Sequence, residues 1–271
     1  MTVAIDVQQR LEVAIEVARD AGALTLETFG RSRNDVERKS DGSEVTAIDR
    51  AAERFIRERL AAEFDGDGVL GEEFEPKPSR SGWRWIIDPI DGTFSFVRGV
   101  PLYATLLGAE RVDANGRPTG PVEVGVIVMP ALDEVVYGAT GGGAWRTQGS
   151  GDPVAARVNS VDRLEDATIC VTSVDYFDKQ GLSDVFSRMC AASGHTRGWS
   201  DAYAAVLLAT GRCDALVEPI MNPWDSAPMQ PIITEAGGRL SDWTGKETVH
   251  APTLVASNGR VHDELLRTLR G

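Results

Sequence analysis

Cysteine and histidine are scarce, at three residues each in 271. Cys170, Cys190 and Cys213 are odd in number and form no C-x-x-C pair, so reduced thiols are expected rather than disulfides or zinc ligands. His195, His250 and His262 sit in no metal or nucleophile motif, which argues against imidazole-driven hydrolysis. Basic charge is also short: Lys and Arg total 28 against 41 Asp and Glu, a formal charge of −13, which disfavours nucleic acid and anionic membrane as partners. No apolar run approaches the roughly 20 residues that span a bilayer. The opening Met1 to Asp6 lacks the basic and apolar regions of a signal peptide, so a cytoplasmic location is expected. Linkers rich in Pro, Gly or Ser, internal repeats and low-complexity tracts are absent too. With 42% hydrophobic residues to fill a core, the simplest organisation is one domain of two lobes, about 1–150 and 151–271.

What is present is layered. Residues 6–29 read as a helix capped by Asp6, with Leu11, Ile15 and Ala18 in a stripe, and a second helix should follow almost at once. Thr46 and Asp49 resemble a capping box opening a helix whose apolar face is Ile48, Ala52, Phe55, Ile56 and Leu60. Short apolar runs follow at 85–88, 104–110, 122–128, 134–138 and 144–147, with Asn115-Gly116 as a hairpin signal. Beyond 150 the pattern alternates: strand 167–173, helix 178–192, helix 200–210, strand 213–218, helix 225–236, strand 253–257 and helix 261–269. The order implies stacked α and β layers. Pro231 falls inside one of these helices and is expected to bend it.

Carboxylates concentrate where strands should end, in Gly71-Glu72-Glu73, in Asp88-Pro89-Ile90-Asp91-Gly92-Thr93 and in Pro223-Trp224-Asp225. Asp88 follows Trp85, Ile86 and Ile87, at the carboxyl end of a strand, where open α/β sheets bind ligands. Pro89 would turn the chain and aim Asp91 at the same spot. Two carboxylates held that close need a cation, and hard divalent cations prefer oxygen donors, to which the Ile90 carbonyl could add. Gly92-Thr93 then opens a short helix, ended by Gly99, whose first amides can hold phosphate oxygens. Metal-binding carboxylates before a phosphate-cradling helix start suit a phosphate ester and the transfer of its phosphoryl group to water, releasing the alcohol. Singly, each segment also reads as an ordinary turn, cap or solvated acidic surface.

Two longer stretches, W-I-I-D-P-I-D-G-T at 85–93 and P-W-D-S-A-P-M-Q-P-I-I-T-E-A-G-G at 223–238, with G-E-E at 71–73 and D-G-S-E-V-T-A-I-D at 41–49, resemble the lithium-sensitive inositol monophosphatase superfamily along nearly the whole chain. The resemblance implies an α/β layered αβαβα sandwich of the inositol monophosphatase and fructose-1,6-bisphosphatase type, usually dimeric, with two or three Mg2+ ions per site. It implies that Glu72, Asp88 and the Ile90 carbonyl bind one metal, and that Asp88, Asp91 and Asp225 bind a second. Glu72 and Thr93 would orient the attacking water, Asp49 would hold the Thr93 hydroxyl, and Gly92 and Thr93 would bind phosphate. Glu73 and Lys39 would lie just outside this set.

The substrate reading comes from 196–211 and 217–225. Histidinol-phosphate phosphatases resemble the Trp199-Ser200-Asp201-Ala202-Tyr203 found here, whereas inositol phosphatases usually carry a small residue at the place of Asp201. Asp201 with Glu218 would pair with the cationic end of histidinol phosphate, and Asp91, Trp199 and Asn222 would line the same pocket. Asp201 equally suits the first turn of a helix capped by Ser200. An inositol or broad sugar monophosphatase is the alternative, and a metal-binding protein without turnover a remote one.

Overall fold

The computed structural model describes residues 3–31, 36–38, 44–199 and 202–271. Five layers stack. On the outside lie α1 (Ile5–Leu26) and α2 (Ala47–Glu63), preceded by a two-stranded ribbon of β1 (Glu37–Arg38) and β2 (Glu44–Val45). The chain enters α1 from Ala4, and Asp6 lies within the first turn instead of capping it. Helix α2 has the expected capping box between Thr46 and Asp49. Its buried positions Asp49, Ala52, Glu53, Ile56 and Leu60 recur every three or four residues, which turns one stripe to the sheet.

The seven-stranded sheet beneath runs in the order β3 (Gly68–Gly71), β4 (Trp83–Asp91), β5 (Ala104–Val112), β6 (Pro118–Met129), β7 (Glu134–Ala139), β8 (Gly143–Gln148) and β9 (Val154–Ala155). Only β3 and β4 run parallel. Both faces are covered, which explains the unbroken apolar run in β4: Trp85 and Ile87 pack beneath α1 and α2, while Ile86 joins the core on the other side. Asp113 to Arg117, with Asn115-Gly116, turns β5 into β6.

The second core lies between that sheet and a five-stranded one ordered β11 (His195–Arg197), β10 (Thr168–Cys170), β12 (Ala215–Glu218), β14 (Leu254–Ser257), β13 (Arg239–Ser241). Between the sheets sit α6 (Ala202–Ala209), α7 (Pro223–Ser226) and α8 (Met229–Glu235). Helix α6 is buried at nearly every position, so it shows no amphipathic stripe. The helix expected at 225–236 is two, broken at Ala227-Pro228. Pro231 falls in the first turn of α8, where its missing N–H has no helical partner to lose, and no bend is needed there. On the outer face, α4 (Val174–Lys179), α5 (Ser183–Ala192) and α9 (His262–Arg270) enclose the third core with Phe177, Met189 and Leu265. One helix was expected at 178–192 where two occur, and β11 and β13 were missed. Each has three residues, too few to show a two-residue period. The three cysteines are unpaired thiols.

Candidate metal and phosphate site

Strand β4 does not end at Asp88. It continues through Pro89 to Asp91, and its pairing with β5 slips between Asp88 and Asp91. This bulge, rather than a turn, brings both carboxylates to one place. Asp225 arrives from the opposite layer as the third residue of α7. Asn222 caps that helix and donates both its backbone and side-chain N–H to Asp225 Oδ2, at 3.0 and 3.2 Å. Oxygens of Asp88, Asp91 and Asp225 lie within 4.8 Å of one another.

Glu72 stands one residue past β3, whose Gly71 pairs with Ile87 on β4. Its carboxyl hydrogen-bonds Asp88. Asp88 is 2% exposed, and burial first, then the charges of Glu72, Asp91 and Asp225, hold its pKa well above the ordinary carboxylate range. Without a cation, ionising Asp88 beside the other carboxylates therefore costs more than ionising an isolated carboxylate. The Ile90 N–H donates to Asp88 Oδ1 at 2.9 Å, while the Ile90 carbonyl faces the Thr93 hydroxyl at 3.1 Å.

Thr93 opens α3 (Thr93–Val97) after Gly92, whose left-handed backbone (φ 80°) would strain any side chain. The Thr93 hydroxyl also lies 3.2 Å from Asp49 Oδ1, so its one proton serves either acceptor. The other oxygen of Asp49 accepts from the N–H and hydroxyl of Thr46. Burial outweighs these bonds and, with the charge of Glu72, raises the Asp49 pKa.

Two residues that sequence reasoning passed over hold the Glu72 turn. Glu53, fully buried on α2, accepts from the Glu73 N–H at 2.7 Å and from Arg57 Nε at 2.8 Å, and Arg57 Nη2 donates to the Phe74 carbonyl at 3.1 Å. A Cβ on Gly71 would come within 2.1 Å of Glu53 Oε1, so only glycine lets the carboxylate approach. The signal was the spacing: Asp49, Glu53 and Arg57 stand four apart on one face of α2. Also unforeseen is the bond from Ala202 N–H, at the start of α6, to Asp91 Oδ2 at 2.6 Å.

The remaining candidates are more scattered. Glu218 ends β12, 2% exposed, with Oε1 accepting from the N–H and hydroxyl of Thr172 at 2.7 and 2.8 Å. Trp199 is 41% exposed. Arg98 pairs with Glu44 and lies over the Phe94 ring. Lys39, Ser200 and Asp201 lie outside the described residues. No described helix is long and apolar enough to cross a membrane.

Residues 6–271 match the inositol monophosphatase family, and the chain belongs to it. It is 38% identical over 260 residues to the histidinol-phosphatase of Chlorobaculum parvum, covering 96% of both chains, and 36% identical to that of Mycobacterium tuberculosis, covering 96% and 97%. Among solved structures, the Thermotoga maritima IMPase superposes with a TM-score of 0.82 at 32% identity, covering 97% of each chain. The layered fold expected from the sequence is therefore the fold of that family, and the protein is a phosphoric monoester hydrolase.

Proposed function

We propose that this hydrolase is a Mg2+-dependent phosphatase converting L-histidinol phosphate to L-histidinol and phosphate. The observation that carries the substrate reading is the bond from Ala202 N–H to Asp91, which ties the start of α6 to the carboxylate cluster at the residue that follows Trp199-Ser200-Asp201 in the sequence. An ammonium and an imidazole beside the phosphate suit the carboxylates of Asp201 and Glu218, which an uncharged polyol cannot exploit. The names borne by the Chlorobaculum and Mycobacterium relatives support the same substrate.

The donor set fits a hard divalent cation. Three carboxylate oxygens within 4.8 Å, beside a Glu72 bonded to Asp88, form an all-oxygen group whose crowding a cation would relieve. In this reading Glu72, Asp88, Asp91, Asp225 and the Ile90 carbonyl hold two or three Mg2+ ions. Mg2+ bound there would offset the charge of a phosphate dianion and make water more acidic. Glu72 then takes the proton of the attacking water, which the Thr93 hydroxyl orients while Asp49 holds that hydroxyl. The amides of Gly92 and Thr93 hold phosphate oxygens. Asp91 serves twice, as metal ligand and as anchor for the start of α6. Trp199 and Asn222 complete the substrate side, and the family habit points to a homodimer.

Phosphate release from L-histidinol phosphate and from inositol 1-phosphate, measured side by side with Mg2+, tests the reading. Expected is a preference of more than about tenfold in kcat/KM for the cationic ester, lost selectively in Asp201→Ala, each tenfold being about 1.4 kcal/mol. Comparable rates on both esters, or unchanged selectivity in the variant, would leave a broad monophosphatase of the inositol or sugar type.

A further inference from the structure

A cavity of about 340 Å³ opens between the β8–β9 hairpin and the segment that follows α6. Its walls are Arg146, Arg157, Arg212, Thr210 and the stretch Val154 to Ala156. The size is at the lower end for small-molecule sites, about 300 to 1,000 Å³. Its charge is opposite to that of the chain, which carries −13 overall.

The three guanidiniums are held in place. Glu134, 3% exposed, accepts from Arg146 Nε and from Arg212 Nη2 through the same Oε1. Arg146 also donates to Gln148 Oε1 at 2.7 Å, Arg212 Nε to the Thr210 hydroxyl at 2.8 Å, and Arg157 Nη1 to the Glu235 carbonyl at 3.0 Å. Three guanidiniums against one carboxylate leave two positive charges on the wall. Nη1 of Arg146 and Arg212, and Nε and Nη2 of Arg157, are not spent on hydrogen bonds among the described residues. Planar donors already fixed by other bonds lose little freedom on meeting an oxyanion, which is the arrangement that favours phosphate. The pocket also stands apart from the carboxylate cluster. Helix α6 begins at the Asp91 bond and has eight residues, about 12 Å at 1.5 Å per residue, before the chain reaches Thr210 and Arg212.

We propose that this arginine pocket binds a phosphorylated small molecule distinct from the ester that the carboxylate site hydrolyses. A phosphoryl group would take the donors of Arg146, Arg157 and Arg212, and the remaining space would take a small organic or second phosphate part. The probes are inorganic phosphate and pyrophosphate, titrated calorimetrically into the metal-free full-length protein, where the bare carboxylate cluster repels anions. Ionic strength is held constant with chloride. Wild type is expected to bind in the submillimolar range, and Arg157→Gln to bind at least about tenfold more weakly, the worth of a charge-assisted hydrogen bond. Arg212→Gln should weaken binding similarly, with ligand-free melting temperatures recorded for both. Arg157 lies outside the Glu134 pairs, so it decides the matter if Arg212→Gln fails to fold. Pyrophosphate binding more tightly than phosphate would identify a polyphosphorylated ligand, and equal binding a monophosphate. Absence of binding in wild type, or unchanged binding in Arg157→Gln, overturns the proposal.

Discussion

Replacing Glu53 by Gln removes one charge and changes almost nothing else in shape. The carboxylate accepts a backbone N–H from Glu73 and the Nε of Arg57, with no exposure to water. A carboxamide can face only one of these donors with its oxygen and must present N–H to the other. One hydrogen bond to a charged group is therefore lost, about 1.5 to 3 kcal/mol. The turn so loosened carries Glu72, which we propose as a metal ligand. If that loss is felt only when the metal site is organised, the Mg2+ concentration for half-saturation rises about 10- to 100-fold, the range found when groups supporting metal ligands are removed. Calorimetric titration of metal-free protein with Mg2+ measures it directly, and phosphate release against Mg2+ concentration repeats it with turnover. KM for the ester at saturating Mg2+ should move much less. Gly71→Ala should act in the same direction, because its Cβ would sit 2.1 Å from Glu53 Oε1. A Glu53→Gln protein that melts at a lower temperature, yet binds Mg2+ within about twofold of wild type, would refute the reasoning and leave Glu53 a packing residue.

Acidification of the metal-free protein should act in two opposed ways. Asp88 has a raised pKa in the folded state, so its contribution to stability grows as pH falls through that raised value, is complete below the ordinary carboxylate value of 3.8, and disappears in Asp88→Asn. Burial lowers the His262 pKa from 6.5 to about 4, so its stability is present above 6.5 and lost as pH falls towards 4; melting curves of His262→Gln should lack that loss. Asp225→Asn should abolish turnover and Mg2+ stabilisation while leaving the metal-free melting temperature unchanged or higher, since a carboxylate near Asp88 is neutralised. Gly125→Ala should lower the melting temperature by several degrees at saturating Mg2+, because a Cβ there would meet the Pro228 carbonyl at 2.2 Å and the Pro231 ring at 2.8 Å, an overpacking of about 1 to 3 kcal/mol.

The amino-acid sequence by itself determined the layers and the chemical character of the site. Periodicity marks α2 because its stripe faces one sheet, and the central strands because alternating or continuous apolar runs follow from burial on one or both faces. Carboxylates in Asp88-Pro89-Ile90-Asp91 and Pro223-Trp224-Asp225 are legible as residue types at short spacing. Only the tertiary structure decided how they meet. The slip in pairing that aligns Asp88 with Asp91 depends on β5, and Asp225 approaches from a helix 134 positions further along the chain than Asp91. The bonds from Glu73 to Glu53 and from Ala202 to Asp91 escaped notice for the same reason: the four-residue spacing of Asp49, Glu53 and Arg57 places them on one face of α2 but does not name a partner 20 positions away, and a partner 111 positions away leaves no period at all. The arginine pocket belongs with them. Arg146, Arg157 and Arg212 are unremarkable along the chain, and only the tertiary fold lines one pocket with all three, Glu134 of β7 accepting from both Arg146 and Arg212.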